Sequence, residues 1–225
     1  MQPVLAFDVY GTLIDTQGVT MELERRLSDV TKAGEFAKRW REKQLEYSFR
    51  HGLMGAYVPF TECTREALVF TDRALQTCLS DNDHDHLMAV YAELPAFPDV
   101  VPALDQLRDA GIRCVAFSNG TEEAVSQLLT RAGVRSHMDV VISVDEVKRF
   151  KPDPAVYAYL RTWLETRPEN TWLISSNPFD VIGAAHAGLR SAWVRRHSDA
   201  PFDPWGIEPD VTVPELETLA ERMMR

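Results

Sequence analysis

The strongest constraint on this chain is a grammar repeated along most of its length: a short apolar run, a polar turn, then a stretch of helical periodicity. Val4-Leu5-Ala6-Phe7 gives way at once to Asp8-Val9-Tyr10-Gly11-Thr12. Cys114-Val115-Ala116-Phe117 runs into Ser118-Asn119-Gly120, and Val140-Val141-Ile142, Trp172-Leu173-Ile174 and Ala192-Trp193-Val194 repeat the apolar run. Between them, apolar residues recur at helical steps, as in Val100, Val101, Leu104 and Leu107 up to Gly111, or Val125, Leu128 and Leu129 up to Gly133. Strands that are apolar on every residue are buried on both faces. The pattern therefore predicts an α/β fold, a doubly wound parallel sheet with helices on each side, closed by Asp210-Val211-Thr212-Val213 and a last helix.

Residues 15–95 break the rhythm. They contain no strand-like run and read as helices over about residues 21–49, 62–79 and 86–94, with Pro95 and Pro98 marking the return to the sheet. The expected organisation is a core built from residues 1–14 and 96–225, interrupted by an all-helical insertion at 15–95. A length of 225 residues suits one core of that size with one insertion. With 24 Lys and Arg against 34 Asp and Glu the net charge is −10, which argues against nucleic acid or an anionic membrane surface as a partner. No apolar run approaches the roughly 18 residues of a membrane span. Residues 1–7 carry no cation and Asp8 interrupts the first apolar run, so no secretory leader is expected. Cys63, Cys78 and Cys114 are scattered and odd in number, which reads as free thiols in a reducing, cytoplasmic setting.

In open parallel sheets chemistry gathers at the carboxyl ends of the strands. Here those ends deliver Asp8, then Ser118-Asn119-Gly120, then Lys151-Pro152-Asp153-Pro154 just before a helix, then Ser175-Ser176-Asn177 with Asp180 three residues on. Ser118, Thr121, Asp153 and Asn177 also suit helix N-caps, so each alone has a purely structural reading. Asp8 is the sharpest candidate. A carboxylate fixed at a strand end can act as a nucleophile that forms a covalent ester, and a nearby ammonium such as Lys151 would keep it ionised. The hydrophilic run Asp81-Asn82-Asp83-His84-Asp85-His86 has metal-like letters but reads as a solvated turn. The Gly-x-Ser-x-Gly motif of serine hydrolases is absent.

Asp8-Val9-Tyr10-Gly11-Thr12-Leu13, Ser118-Asn119-Gly120-Thr121, Lys151-Pro152 and Ser175-Ser176-Asn177-Pro178-Phe179-Asp180 resemble, in order and spacing, the four motifs of the haloacid dehalogenase superfamily. The resemblance implies that the helical insertion is the family's cap domain. Phosphatases of this superfamily carry an acid two residues after the nucleophile and early acidic Mg²⁺ ligands in the fourth motif. This chain has Tyr10, whose reference pKa is about 10, and Ser175 with Ser176 instead. The segment Trp40-Arg41-Glu42-Lys43-Gln44-Leu45-Glu46-Tyr47 is similar to the cap of L-2-haloacid dehalogenases.

By that resemblance Asp8 is the nucleophile, Thr12 braces it, and Lys151, Asp180, Ser175 and Asn177 orient it and handle the attacking water. Arg41 binds substrate and departing halide, Ser118 and Asn119 hold the substrate carboxylate, and Tyr10, Leu45, Phe60, Tyr157 and Phe179 wall the alkyl group. The family commonly has Trp where this chain has Phe179. The implied reaction is hydrolysis of short L-2-haloalkanoic acids to 2-hydroxy acids with inversion. No metal or organic cofactor is implied, and the family expectation is a homodimer. A Mg²⁺-dependent phosphatase of the same superfamily and a catalytically silent binding module are the alternatives. An anionic substrate suits the local charge: Glu24 to Arg50 holds eight Lys or Arg against five Asp or Glu.

Overall fold

The computed structural model describes residues 3–224. The chain divides into two compact units, Met1–Ile14 with Ala96–Arg225, and Asp15–Pro95. The first unit is built on strands β1 (Val4–Phe7), β2 (Arg113–Ser118), β3 (Val140–Ser143), β4 (Thr171–Ser175), β5 (Arg190–Val194) and β6 (Val211–Val213). All pair in parallel, in the order β3-β2-β1-β4-β5-β6. The strand order reverses between β2 and β4, on either side of β1. Such a switch point opens a crevice at the carboxyl ends of the strands, the place where open α/β sheets bind ligands.

All four residues of β1 are buried, because both faces of the sheet are covered. Val4 and Ala6, with Val115 and Phe117 of β2, pack with Val156, Tyr157, Leu160 and Leu164 in one apolar cluster. Leu5 and Phe7 project to the other face and are fully buried there. In chain order the helices are α1 (Thr20–Leu27), α2 (Val30–Leu53), α3 (Phe60–Leu75), α4 (Asp81–Tyr91), α5 (Val100–Asp109), α6 (Glu122–Arg131), α7 (Pro154–Leu164), α8 (Pro178–His186) and α9 (Leu216–Met223). The chain leaves and re-enters the first unit through a bridge between Ile14 and Ala96. Among the described residues no helix is long and apolar enough to cross a membrane.

The second unit is helical, as the missing strand pattern suggests, but its helices begin and end elsewhere than expected. The helix expected over 21–49 is two helices. Ser28 takes a left-handed conformation (φ 53°) that ends α1, and the Asp29 side chain accepts from the Lys32 N–H to start α2. The run 81–86 is not a solvated turn. Ser80 and Asp83 form a reciprocal capping box, and the acidic residues sit in the first turn of α4, where the helix dipole favours them. His84 is consequently buried against Asp72, 3.1 Å away, and His86 pairs with Glu22.

Candidate active site

Asp8 follows the last residue of β1, and the chain then turns tightly so that Leu13 and Ile14 donate back to the Val9 carbonyl. Gly11 takes φ 87° in that turn, a conformation that disfavours any side chain. The turn brings Thr12 over Asp8, and the Thr12 hydroxyl donates to Asp8 Oδ2 at 2.9 Å. Two further donors reach the same oxygen from beyond β4: Asn177 Nδ2 at 2.7 Å and Ser175 Oγ at 3.3 Å. The orientation of the Asn177 amide follows from its partners, since Asp8 Oδ2 and the Tyr10 carbonyl can only accept.

Asp8 Oδ1 is held differently, with the ammonium of Lys151 3.1 Å away. Lys151 is 1% exposed, and its three N–H groups have three acceptors: Asp8 Oδ1, Asp180 Oδ2 at 2.8 Å and the Phe117 carbonyl at 2.8 Å. Its backbone N–H donates to Asn119 Oδ1, which ties the lysine loop to the end of β2; the Lys151–Pro152 peptide is cis. Asp180 is fully buried, and its other oxygen accepts from the Tyr157 hydroxyl at 2.8 Å.

One buried ammonium therefore serves two buried carboxylates. Burial alone would drive Lys151 to lose its proton, but the charges of Asp180 and Asp8 outweigh it, and the lysine is held above its usual 10.5. Burial pushes the Asp180 carboxyl above its usual 3.8; Lys151 opposes the rise and the like charge of Asp8 adds to it. Burial and the facing carboxylates raise the Tyr157 phenol well above 10, so it stays a donor.

Six of the candidate residues, Asp8, Thr12, Lys151, Ser175, Asn177 and Asp180, thus form one connected hydrogen-bonded cluster. The capping alternatives separate cleanly. Thr121 and Asp153 cap α6 and α7 through their side chains, whereas Asn177 occupies the N-cap of α8 but makes no side-chain cap bond there. Ser118 is buried at the end of β2 and its hydroxyl accepts from the Gly120 N–H, so it caps no helix.

Tyr157, expected on the substrate wall, is fully buried: its ring packs edge-on against Phe117 and its hydroxyl donates to Asp180 Oδ1. Tyr10 is buried beside Gly120, and Phe179 is half-buried, lining a cavity of about 310 Å³ with Pro152, Ile182, His186, Trp205 and Ile207. In the helical unit, Phe60 is buried at the start of α3 and Leu45 is half-buried on α2. Arg41 Nη1 donates to Gln44 Oε1 at 2.7 Å, which also accepts from the Tyr91 hydroxyl.

Sequence reasoning missed the Phe117 carbonyl, since backbone acceptors carry no sequence signal. It also missed the support beneath Asp8: Arg196 binds Asp99 and donates to the Thr12 carbonyl, and the Trp193 indole donates to the Ser176 carbonyl.

A family model of haloacid dehalogenase-like hydrolases matches residues 3–188. Haloacetate dehalogenase H-2 of Moraxella sp. (strain B) is 35% identical, over 96% of this chain and 95% of its own length. An (S)-2-haloacid dehalogenase of Pseudomonas fluorescens is 34% identical, over 95% of this chain and 93% of its own. The structure of an L-2-haloacid dehalogenase from Xanthobacter autotrophicus with chloropropionic acid covalently bound matches with a TM-score of 0.89 at 32% identity, covering 98% of each chain. Motif order, strand order and a match spanning most of the chain agree: the chain belongs to the haloacid dehalogenase-like hydrolases.

Proposed function

We propose that this chain is an (S)-2-haloacid dehalogenase, which hydrolyses short L-2-haloalkanoic acids to 2-hydroxy acids with inversion through a covalent ester on Asp8. The observation that carries the reading is the unequal treatment of the two Asp8 oxygens. Oδ2 is held by Thr12, Ser175 and Asn177, while among the described residues Oδ1 is met by the Lys151 ammonium. Oδ1 is the attacking atom. It displaces halide from C2 from the opposite side, which inverts that carbon, and the departing halide needs no proton. The Lys151 ammonium, 3.1 Å away, is the counter-charge beside that attacking oxygen.

In the ester, Oδ2 becomes the carbonyl oxygen. Water attacks the Asp8 carbonyl carbon, leaving C2 untouched, and negative charge develops on Oδ2 among three donors already in place. Alkylation of Oδ1 removes one of the two carboxylates serving Lys151, so Asp180 with Lys151 is left to hold the water and take its proton. The covalently bound chloropropionic acid of the Xanthobacter autotrophicus relative supports an ester at this stage.

From the family resemblance, residues 15–95 act as the cap and supply Arg41 for substrate and halide, with Leu45 and Phe60 on the wall. Ser118 and Asn119 hold the substrate carboxylate, and Tyr10 and Phe179 complete the apolar side. The same reading makes the enzyme a cytoplasmic homodimer; the free thiols of Cys63, Cys78 and Cys114 are in keeping with a reducing compartment.

Residues that would hold Mg²⁺ in a phosphatase do not fit here. Asp180 has one oxygen on Lys151 and the other on Tyr157, and Ser175 and Ser176 stand where charged ligands would be needed. The test is halide release from L-2-chloropropionate in EDTA, with D-lactate as product. Hydrolysis of p-nitrophenyl phosphate that needs Mg²⁺, with no halide release, would overturn the reading.

A further inference from the structure

The helical unit brings together three side chains that the proposed reaction does not use. His51 lies in the last turn of α2; Cys63 and Glu66 lie one turn apart on α3, on the face packed against α2. One nitrogen, one sulfur and one carboxylate oxygen of these residues all lie within 4.8 Å of one another. We propose that His51 Nε2, Cys63 Sγ and a Glu66 carboxylate oxygen form a binding site for a Zn²⁺-type divalent transition cation, fastening the end of α2 to α3.

The histidine is already oriented as a ligand. Its Nδ1 lies 2.8 Å from the Ala56 carbonyl, which can only accept, so Nδ1 carries a proton and Nε2 is the atom facing the carboxylate. A metal-binding histidine typically donates its other ring N–H to such a carbonyl, which sets tautomer and ring plane. Nε2 and Glu66 Oε2 are 3.0 Å apart, close to the ~3.3 Å separating two ligands bound at about 2.0 Å to one tetrahedral ion. The hydrogen bond to the Glu66 carboxylate, with the one to the Ala56 carbonyl, raises the His51 pKa, so protons compete with a cation for Nε2. A cation would take the place of any proton on Nε2.

The donor set is specific about its guest. Mixed imidazole, thiolate and carboxylate ligands suit Zn²⁺ or Co²⁺ far better than Mg²⁺ or Ca²⁺, which take oxygen ligands. Glu66 is exposed while Cys63 is buried, so an ion held between them has a solvent-facing fourth position for water. Burial pushes the Cys63 thiol up to about 12. Binding must therefore expel the thiol proton into solvent; no redox change is involved.

Co²⁺ reports the site directly, through a thiolate-to-metal charge-transfer band in the near ultraviolet. After EDTA treatment and dialysis, the full chain should take up one equivalent of Co²⁺ with that band, release protons in weak buffer, and lose the band on adding Zn²⁺. Cys63→Ser should abolish the band, and Cys78→Ser should keep it. His51→Ala, at a partly exposed helix end, should weaken Zn²⁺ binding by at least about 100-fold and serves the comparison if the buried Cys63 variant fails to fold. Zn²⁺ should also raise the thermal midpoint of the wild type but not of His51→Ala. Absence of the band, its survival in Cys63→Ser, or unchanged Zn²⁺ affinity in His51→Ala would overturn the proposal.

Discussion

Replacing Asn177 by Ala separates the two chemical steps, because they ask opposite things of Asp8 Oδ2. During alkylation negative charge leaves the carboxylate, so a donor on Oδ2 gives the transition state no advantage over the ground state. During ester hydrolysis charge returns to Oδ2, and each donor there lowers the barrier. Asn177 makes the shortest of the three bonds, 2.7 Å against 2.9 Å from Thr12 and 3.3 Å from Ser175. Loss of one donor of this kind costs about 2.7–4 kcal/mol, or roughly 10²–10³ in rate. Asn177 makes no side-chain cap bond to α8, so the helix start is spared and the stability cost should stay near ~1 kcal/mol.

The expected phenotype of Asn177→Ala is a kcat lowered by about 10²–10³ with kcat/KM nearly unchanged, since alkylation is the first irreversible step. Rapid quenching at saturating L-2-chloropropionate, followed by intact-mass analysis, should find nearly all enzyme carrying a 1-carboxyethyl ester. Equal losses in kcat and kcat/KM, with unmodified enzyme at steady state, would refute the division of labour between the two oxygens.

Lys151→Met should abolish halide release and destabilise the fold by about 3–5 kcal/mol, because two buried carboxylates lose their shared partner. Thermal melts should show this deficit shrinking as the pH falls and the carboxyls take up protons. In the wild type the folded-state pKa of Lys151 lies above 10.5, its usual value. The stability it contributes is fully present below that pH and is lost as the pH rises through the folded value, so the melting temperature should drop there and the drop should be missing in Lys151→Met. Gly183→Ala would place a Cβ 2.5 Å from the Tyr157 hydroxyl and 2.7 Å from Pro152 Cβ, forcing Tyr157 off Asp180. A loss of about 1–3 kcal/mol in denaturant unfolding, together with a lowered kcat, is the expected result.

The sheet was readable because strands buried on both faces leave continuous apolar runs, and because such sheets place chemistry at known strand ends. That logic reaches Asp8, Lys151, Ser175, Asn177 and Asp180 without any contact being seen. It fails wherever a residue's partner is a matter of packing. Tyr157 sits in an apolar helical stretch, and nothing in its neighbours announces that its hydroxyl faces a carboxylate. His84 looked solvated because its letters are polar, yet the capping box of Ser80 and Asp83 turns it inward to Asp72. The break at Ser28 was masked by periodicity that continues on both sides of it. His51, Cys63 and Glu66 carry no spacing motif and meet only through the packing of α2 on α3.

The central claim is that Asp8 itself donates the oxygen that ends up in the product. A single turnover with enzyme in excess, run in heavy-oxygen water, tests it directly. The 2-hydroxy acid should carry ordinary oxygen at its hydroxyl, with one heavy oxygen appearing in the Asp8-containing peptide. Heavy oxygen in the product hydroxyl, with an unlabelled Asp8 peptide, would mean that water attacks C2 directly and would contradict it.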